Sequence, residues 1–344
     1  MPRRLLTGVL LLAVMFGPAV LMAEEITTGS ALPELVETPP SPPAGFATPA
    51  EVMQALQQGH IRIVQLPPPD DAVAEQKNVE YGRVDNRRLL LDLYTPANLK
   101  APAPGIILIH GGGWKGGRKE DYTVYGRRLA AKGYVVASID YRLSDEARFP
   151  AALEDCKCAV RWMRANADTL NVHPDTIGVG GGSAGGHLSL LVGYCDSETG
   201  FDNSGGHSGI SSKVQCIVDL YGPSDLTTDF VRRNKLAGTL VSGFLGKSID
   251  EAPDLYRRAS PINYVSKDSP PTLILHGTVD DVVPIDQSDA LAEKLTELKV
   301  PHIYDRLPGW PHAMDLSQEV NDRCLWFMER FFARYLQLPE GAPQ

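Results

Sequence analysis

The stretch Thr176-Ile177-Gly178-Val179-Gly180-Gly181-Gly182-Ser183-Ala184-Gly185 decides the reading of this chain. Residues 176–180 form an apolar run of the kind that makes a buried strand, and His187 to Tyr194 reads as a helix. Gly181 to Gly185 lies between them and matches Gly-x-Ser-x-Gly at a strand-to-helix turn, the pattern of a nucleophile elbow. Such a turn is too tight for side chains at the flanking positions, so glycine is needed at both. Ser183, at the apex, is expected in a sparsely populated backbone conformation with its hydroxyl clear of the sheet. Alone the pattern is weak, because the chain holds 32 glycines.

A serine hydroxyl is a poor nucleophile near neutral pH and needs a base, itself oriented by a carboxylate. Behind an elbow of this type the chain order is Ser, then Asp or Glu, then His. His276-Gly277-Thr278-Val279-Asp280-Asp281 starts at the end of an apolar strand and presents an acid in the next loop. Gly309-Trp310-Pro311-His312 follows the last expected strand and offers a histidine. Both loops belong to strand carboxyl ends, where open sheets place their sites. His312 is assigned as base and Asp280 as its orienting acid, with Asp281 the alternative acid.

An oxyanion produced at Ser183 needs hydrogen-bond donors. His110-Gly111-Gly112-Gly113-Trp114 follows the buried run Gly105 to Ile109, and consecutive glycines let backbone N–H groups converge on one point. Gly112 and Gly113 are the candidates, with Trp114 N–H a further one. Ala184, at its helix N-terminus, supplies another. Trp114 and Trp310 flank the site in sequence and are candidates for substrate-binding walls or for plain packing. His110 and His276 read as structural hydrogen-bonders. His173, His187, His207 and His302 carry no motif, and Asp219, at a strand end, reads as structural. The chemistry requires no metal and no organic cofactor.

Strand-like and helix-like stretches alternate from about Val79 to Leu336. That predicts an α/β fold, a mainly parallel central sheet with helices on both faces. Leu89 to Tyr94 reads as an antiparallel strand near a sheet edge. Residues 223–265 interrupt the alternation as a short lid-like insertion, placed to wall a substrate pocket. Together the motifs resemble the α/β-hydrolase family. Within it they resemble carboxylesterases with an HGGGW oxyanion loop, including hormone-sensitive-lipase-like and feruloyl- or acetyl-esterase-like members. The resemblance covers roughly residues 79–338, with further matching stretches at Asp140 to Leu143, Phe149 to Ala152 and Ala259 to Ile262. It implies hydrolysis of carboxylic esters through an acyl-serine intermediate. Thr48 to Asp71 is short and Pro-rich beside the cap of hormone-sensitive-lipase-like enzymes, which favours the feruloyl/acetyl-esterase-like branch. The alternatives within the fold are an arylformamidase or other amidase, an oligopeptidase-like hydrolase, and a non-catalytic binding module.

Residues 1–23, with Arg3 and Arg4 before an apolar run that ends at Ala23, read as an export leader. Export places the protein in the periplasm or outside the cell, without stable membrane insertion once the leader is removed. An uncleaved leader would instead be an anchor. Residues 24–78 are Pro-rich and read as a linker or extension with a helix from Thr48 to Gln58. The 344-residue chain is 43% hydrophobic and carries a net charge of −9 without a basic stripe, which excludes nucleic acid as a partner. The expected partner is a small-molecule or polysaccharide-linked ester. Five cysteines leave at least one unpaired. Cys156 and Cys158 read as buried thiols, and Cys195 with Cys216 as a possible bridge.

Overall fold

The computed structural model describes residues 27–28, 38–195, 200–202 and 204–337. The expected leader lies outside them. Among the described residues nine strands form one sheet: β1 (Thr27–Thr28), β2 (Val73–Val84), β3 (Arg87–Pro96), β4 (Ala103–Ile109), β5 (Val135–Ile139), β6 (Val172–Gly182), β7 (Cys216–Leu220), β8 (Thr272–Gly277) and β9 (His302–Leu307). Their spatial order is β1-β9-β8-β7-β6-β4-β5-β3-β2. From β9 to β5 every pairing is parallel, while β1, β3 and β2 pair antiparallel at the two sides. The central parallel strands β4 and β5 are buried along their whole length because helices cover both faces. All seven residues of β4 are buried.

The helices are α1 (Pro49–Gln57), α2 (Thr123–Ala131), α3 (Ala151–Ala165), α4 (Ala167–Leu170), α5 (Ala184–Tyr194), α6 (Phe230–Arg233), α7 (Lys235–Leu245), α8 (Pro253–Arg258), α9 (Asp286–Glu297) and α10 (Gln318–Leu336). The alternation of side chains along the strands sorts the core into two layers. Ile107 and Ile109 of β4 pack with Leu153 and Val160 of α3, Leu188 of α5 and Leu291 of α9. Ile106 and Leu108 pack with Leu129 of α2 and Phe327 and Phe331 of α10.

The strand at Leu89 to Tyr94 lies near the sheet edge and pairs antiparallel on both sides, as expected, with β2 outside it as the edge strand itself. The polar composition and two register shifts of β2, between Gln76 and Val79 and between Glu80 and Gly82, hide its period in the sequence. No disulfide joins Cys195 to Cys216. Both are buried, as are Cys156 and Cys158.

Part of the stretch read as a linker is docked on the body of the fold. Thr48 caps α1, its Oγ1 accepting the Glu51 N–H at 3.3 Å. Before the helix, Phe46 N–H donates to Gly309 O at 2.8 Å and Trp310 Nε1–H donates to Pro43 O at 3.2 Å. After it, Val64 N–H donates to Leu316 O at 2.9 Å and Gln318 N–H to Arg62 O at 2.7 Å. The segment therefore straps the loop between β9 and α10 at both ends. Helices α6, α7 and α8 build the insertion between β7 and β8. Among the described residues no helix is long and apolar enough to cross a membrane.

Candidate active site

Ser183 sits between β6 and α5 at φ +56° and ψ −121°, a backbone region that residues other than glycine seldom occupy. The elbow is wedged against the end of β4. A Cβ on Gly185 would lie 2.0 Å from the carbonyl oxygen of Ile109, and one on Gly181 would lie 2.3 Å from the same oxygen. On the other side Ser183 N–H donates to Leu220 O at 2.8 Å, which pins the turn to β7.

The loops after β8 and β9 are joined to each other. Thr278 N–H donates to Leu307 O at 2.9 Å, Val279 N–H to Trp310 O at 3.2 Å, and Gly309 N–H to Thr278 Oγ1 at 2.8 Å. This brings Asp280 and His312 together at Ser183. His312 Nε2 lies 2.8 Å from Ser183 Oγ, and His312 Nδ1 lies 2.6 Å from Asp280 Oδ2. The Asp280 side chain is wholly buried and that of His312 is 17% exposed. An ionised carboxylate can only accept, so Nδ1 carries the ring proton and the Nε2 lone pair faces the serine hydroxyl.

Asp280 is held from several sides. Its Oδ1 accepts the N–H groups of Val282 and Val283, each at 2.8 Å. Its Oδ2 also receives a hydrogen bond from His276 Nε2 at 3.1 Å. Burial pushes this carboxyl up, but the hydrogen bonds from His276 and His312 and the attraction to both rings outweigh it and hold it at about 2. Asp281 is exposed, and its carbonyl accepts the Asn234 amide at 2.6 Å.

Two further residues support His312 and were missed in the sequence. Tyr221, at φ +45° directly after β7, sets its ring edge-to-face with the imidazole, centroids 4.9 Å apart. Its hydroxyl donates to Asp315 Oδ1, and the Tyr125 hydroxyl donates to Asp315 Oδ2 at 2.8 Å. Burial pushes the Asp315 carboxyl up against the pull of those two hydroxyls. The available signal was the position of Tyr221 at a strand carboxyl end. Nothing in the sequence pairs it with a residue 94 positions later.

The glycine loop after β4 touches the elbow. A Cβ on Gly111 would lie 2.9 Å from Gly182 O and 3.4 Å from Ser183 Cβ. None of the backbone hydrogen bonds among the described residues uses the N–H of Gly112, Gly113 or Ala184. Leu240 of α7 closes over this loop, within 2.8 Å of where a Gly113 Cβ would stand. His110 is buried, its Nδ1–H donating to Gly111 O at 2.7 Å and its ring stacked on Tyr141.

Trp114 and Trp310 are each only 4% exposed, so the rings serve packing. Trp114 stacks on Phe244 at 4.6 Å, and its indole N–H donates to His187 Nδ1 at 3.2 Å. His187 in turn donates from Nε2 to Ala259 O at 2.8 Å. Burial pulls its pKa to about 4, so the neutral ring links the glycine loop, α5 and the insertion. Trp310 packs edge-on against Phe46, centroids 5.6 Å apart. No group of three or more His, Cys, Asp or Glu among the described residues is placed to hold a metal.

The BD-FAE family profile matches residues 91–295, the span from β3 through the elbow and the acid loop into α9. The chain belongs to the BD-FAE family. This BD-FAE chain is 34% identical over 258 residues to Esterase LipC and 32% identical over 278 residues to Esterase LipQ, both of Mycobacterium tuberculosis (strain ATCC 25618 / H37Rv). The matches cover 73% and 79% of this chain and 64% and 65% of those proteins. The chain thus spans just under two thirds of the length of these relatives. Among solved structures it is similar to a truncated form of a carbohydrate esterase from gut microbiota, with TM-score 0.70 and 30% identity over 78% of this chain and 98% of that one. It is also similar to the butyrate-bound esterase Est2 of Thermogutta terrifontis, with TM-score 0.67 and 25% identity over 80% and 99% of the two chains. The sheet and its helices are those of an α/β-hydrolase.

Asp219 lies beneath the elbow of this BD-FAE chain and gives a pH prediction. Its Oδ1 accepts Gly222 N–H at 2.9 Å, and its Oδ2 has no hydrogen-bond partner among the described residues. Burial pushes the carboxyl up to about 8, against roughly 3.9 in an unfolded chain. Between those values the folded state keeps a proton that the unfolded state has released. The residue's contribution to stability is therefore full below about pH 4 and is lost as pH rises through 8, by at most about 1.4 kcal/mol per pH unit. Asp219→Asn keeps the Oδ1 acceptor and removes the titration. Thermal melts from pH 5 to 9 should show the variant losing less stability than the parent protein. Parallel curves would reject this account.

Proposed function

We propose that this chain is a serine carboxylesterase working through an acyl-Ser183 intermediate. The observation that carries the reading is the unbroken line of hydrogen bonds from Ser183 Oγ to His312 and on to Asp280, at 2.8 and 2.6 Å. Ser183 Oγ attacks the ester carbonyl carbon while His312 Nε2 takes the hydroxyl proton. Asp280 remains ionised and stabilises the imidazolium. The carbonyl electron pair moves to oxygen, which the N–H groups of Gly112, Gly113 and Ala184 receive. Each such donor is typically worth about 10²–10³ in rate. Collapse breaks the bond to the alkoxy group, which leaves as an alcohol with the proton from His312. Water, deprotonated by the same nitrogen, then cleaves the acyl-serine and releases the acid.

The relatives named esterases and the carbohydrate-esterase neighbour support a carboxylic ester over an amide. Leu240 above the glycine loop restricts space beside the carbonyl and favours short acyl groups such as acetyl over the bulkier feruloyl type. The expected leader supports action in the periplasm or outside the cell, where such groups are carried on polysaccharides or on small molecules. A fluorophosphonate probe should label Ser183, with labelling abolished in His312→Ala. A panel of p-nitrophenyl acyl esters, methyl ferulate and acetylated xylan should show turnover highest on the short acyl members. Absence of labelling in folded protein would overturn the assignment.

A further inference from the structure

We propose that His276 is a positioning residue for ester hydrolysis, holding the Asp280 carboxylate in the plane that His312 needs, with its own tautomer set by Ser288. The proposal rests on the reading of Ser183, His312 and Asp280 given above. His276 ends β8, and its side chain is completely buried. Its Nε2 faces two groups, Asp280 Oδ2 at 3.1 Å and Val283 O at 3.0 Å. Neither can donate while Asp280 is ionised, so Nε2 carries a proton shared between them. Its Nδ1 lies 2.7 Å from Ser288 Oγ, in the first turn of α9. With Nδ1 accepting the Ser288 hydroxyl, the tautomer is fixed from both sides.

The consequence lies in how Asp280 is held. Its two oxygens receive three donors that do not come from His312: the N–H groups of Val282 and Val283, and the Nε2–H of His276. These determine the carboxylate plane before His312 arrives, so Oδ2 is aimed at Nδ1 throughout the cycle. His312 is the more exposed partner and lies on a loop, so its return after each proton transfer depends on a stationary acceptor. Misplacement by about 1 Å in such a constellation costs on the order of 10²-fold in rate. The second donor at Oδ2 also lowers the basicity of that oxygen, which keeps the proton on the imidazole and off the acid.

The experiment uses the full chain with His276→Leu, His276→Gln, Ser288→Ala and Asp280→Asn. It reads kcat and KM on p-nitrophenyl acetate, thermal unfolding, and the low-field proton resonance of the His312–Asp280 hydrogen bond. His276→Leu is expected to lower kcat about 10- to 100-fold with KM within about twofold. Its low-field resonance should move, because Oδ2 then has a single side-chain donor. The Gln amide can donate to Asp280 and accept from Ser288, so His276→Gln should recover most of kcat and restore the resonance. Ser288→Ala frees the ring to exchange tautomers and should give a smaller loss, about 2- to 5-fold. If His276→Leu does not fold, Gln and Ser288→Ala carry the comparison with the parent protein. Unchanged kcat and resonance in folded His276→Leu would overturn the proposal. So would His276→Gln losing activity only in step with its melting temperature. Asp280→Asn separates the two levels. If it retains full turnover, the assignment of Asp280 itself fails. If it loses turnover while folded His276→Leu does not, only the role of His276 fails.

Discussion

Ser183→Ala is expected to lower kcat/KM for p-nitrophenyl acetate by about 10⁴-fold or more, with melting temperature close to that of the parent protein. The size follows from what the substitution removes. Without Oγ there is no covalent route, and His312 can only activate water in a site arranged for a side-chain nucleophile. What remains is the polarisation of the carbonyl by the glycine loop and the N-terminus of α5, so the residual rate should still exceed that in water. His312→Ala should produce a loss of the same order, and combining the two should add little, because they act as one unit. Stability should change little, since both side chains lie at the site opening and anchor no core layer. Steady-state kinetics on all three variants and on the fluorophosphonate-labelled protein checks this. A Ser183→Ala preparation with more than a few per cent of normal turnover, free of contaminating esterase, would place the nucleophile elsewhere.

Gly185→Ala should cost about 3 kcal/mol or more in stability and remove most activity in whatever folds. The added methyl would meet the Ile109 carbonyl at 2.0 Å and the His110 carbonyl at 2.7 Å. Both are backbone atoms, so no side chain can rotate away. Relief requires α5 to shift from β4, and that shift carries the Ser183 apex with it. The damage thus reaches stability and rate together, unlike the loss in Ser183→Ala. Gly243→Ala in α7 is the control, since nothing stands within 4 Å of its Cβ position and alanine is the better helix former. Denaturant melts of the pair decide the matter. Equal stability in Gly185→Ala and the parent protein would mean that the elbow is not wedged against β4.

The parts of the fold that could be read from the sequence are those whose signals are local. The apolar runs at Gly105 to Ile109 and Tyr134 to Ile139 can only be strands covered on both faces, and β9 matches the expected run from His302 to Leu307. Ser183, Asp280 and His312 stood out because each follows a strand in a loop marked by glycine. What stayed hidden was set by tertiary contact. Strand β2 is polar and bulged, and only its pairing with β3 gives it a period. Tyr221 and Asp315 meet through folding alone. The two tryptophans read as pocket walls or as plain packing alike, because sequence adjacency does not say which way a ring turns. Both turn inward, one toward His187 and Phe244 and the other toward Phe46.

The strap that runs from Pro43 to Val64 ties the histidine loop to a part of the chain far from it in sequence. Pro43 and Trp310 are 267 positions apart. The elbow and the glycine loop lie on strands and loops between residues 103 and 220. His312 meets Ser183 across 129 positions, so the base reaches its place only through contacts between distant segments. Contacts of long separation form late. The proposed triad is therefore completed by contacts of long sequence separation, and it depends on the strap as much as on the elbow.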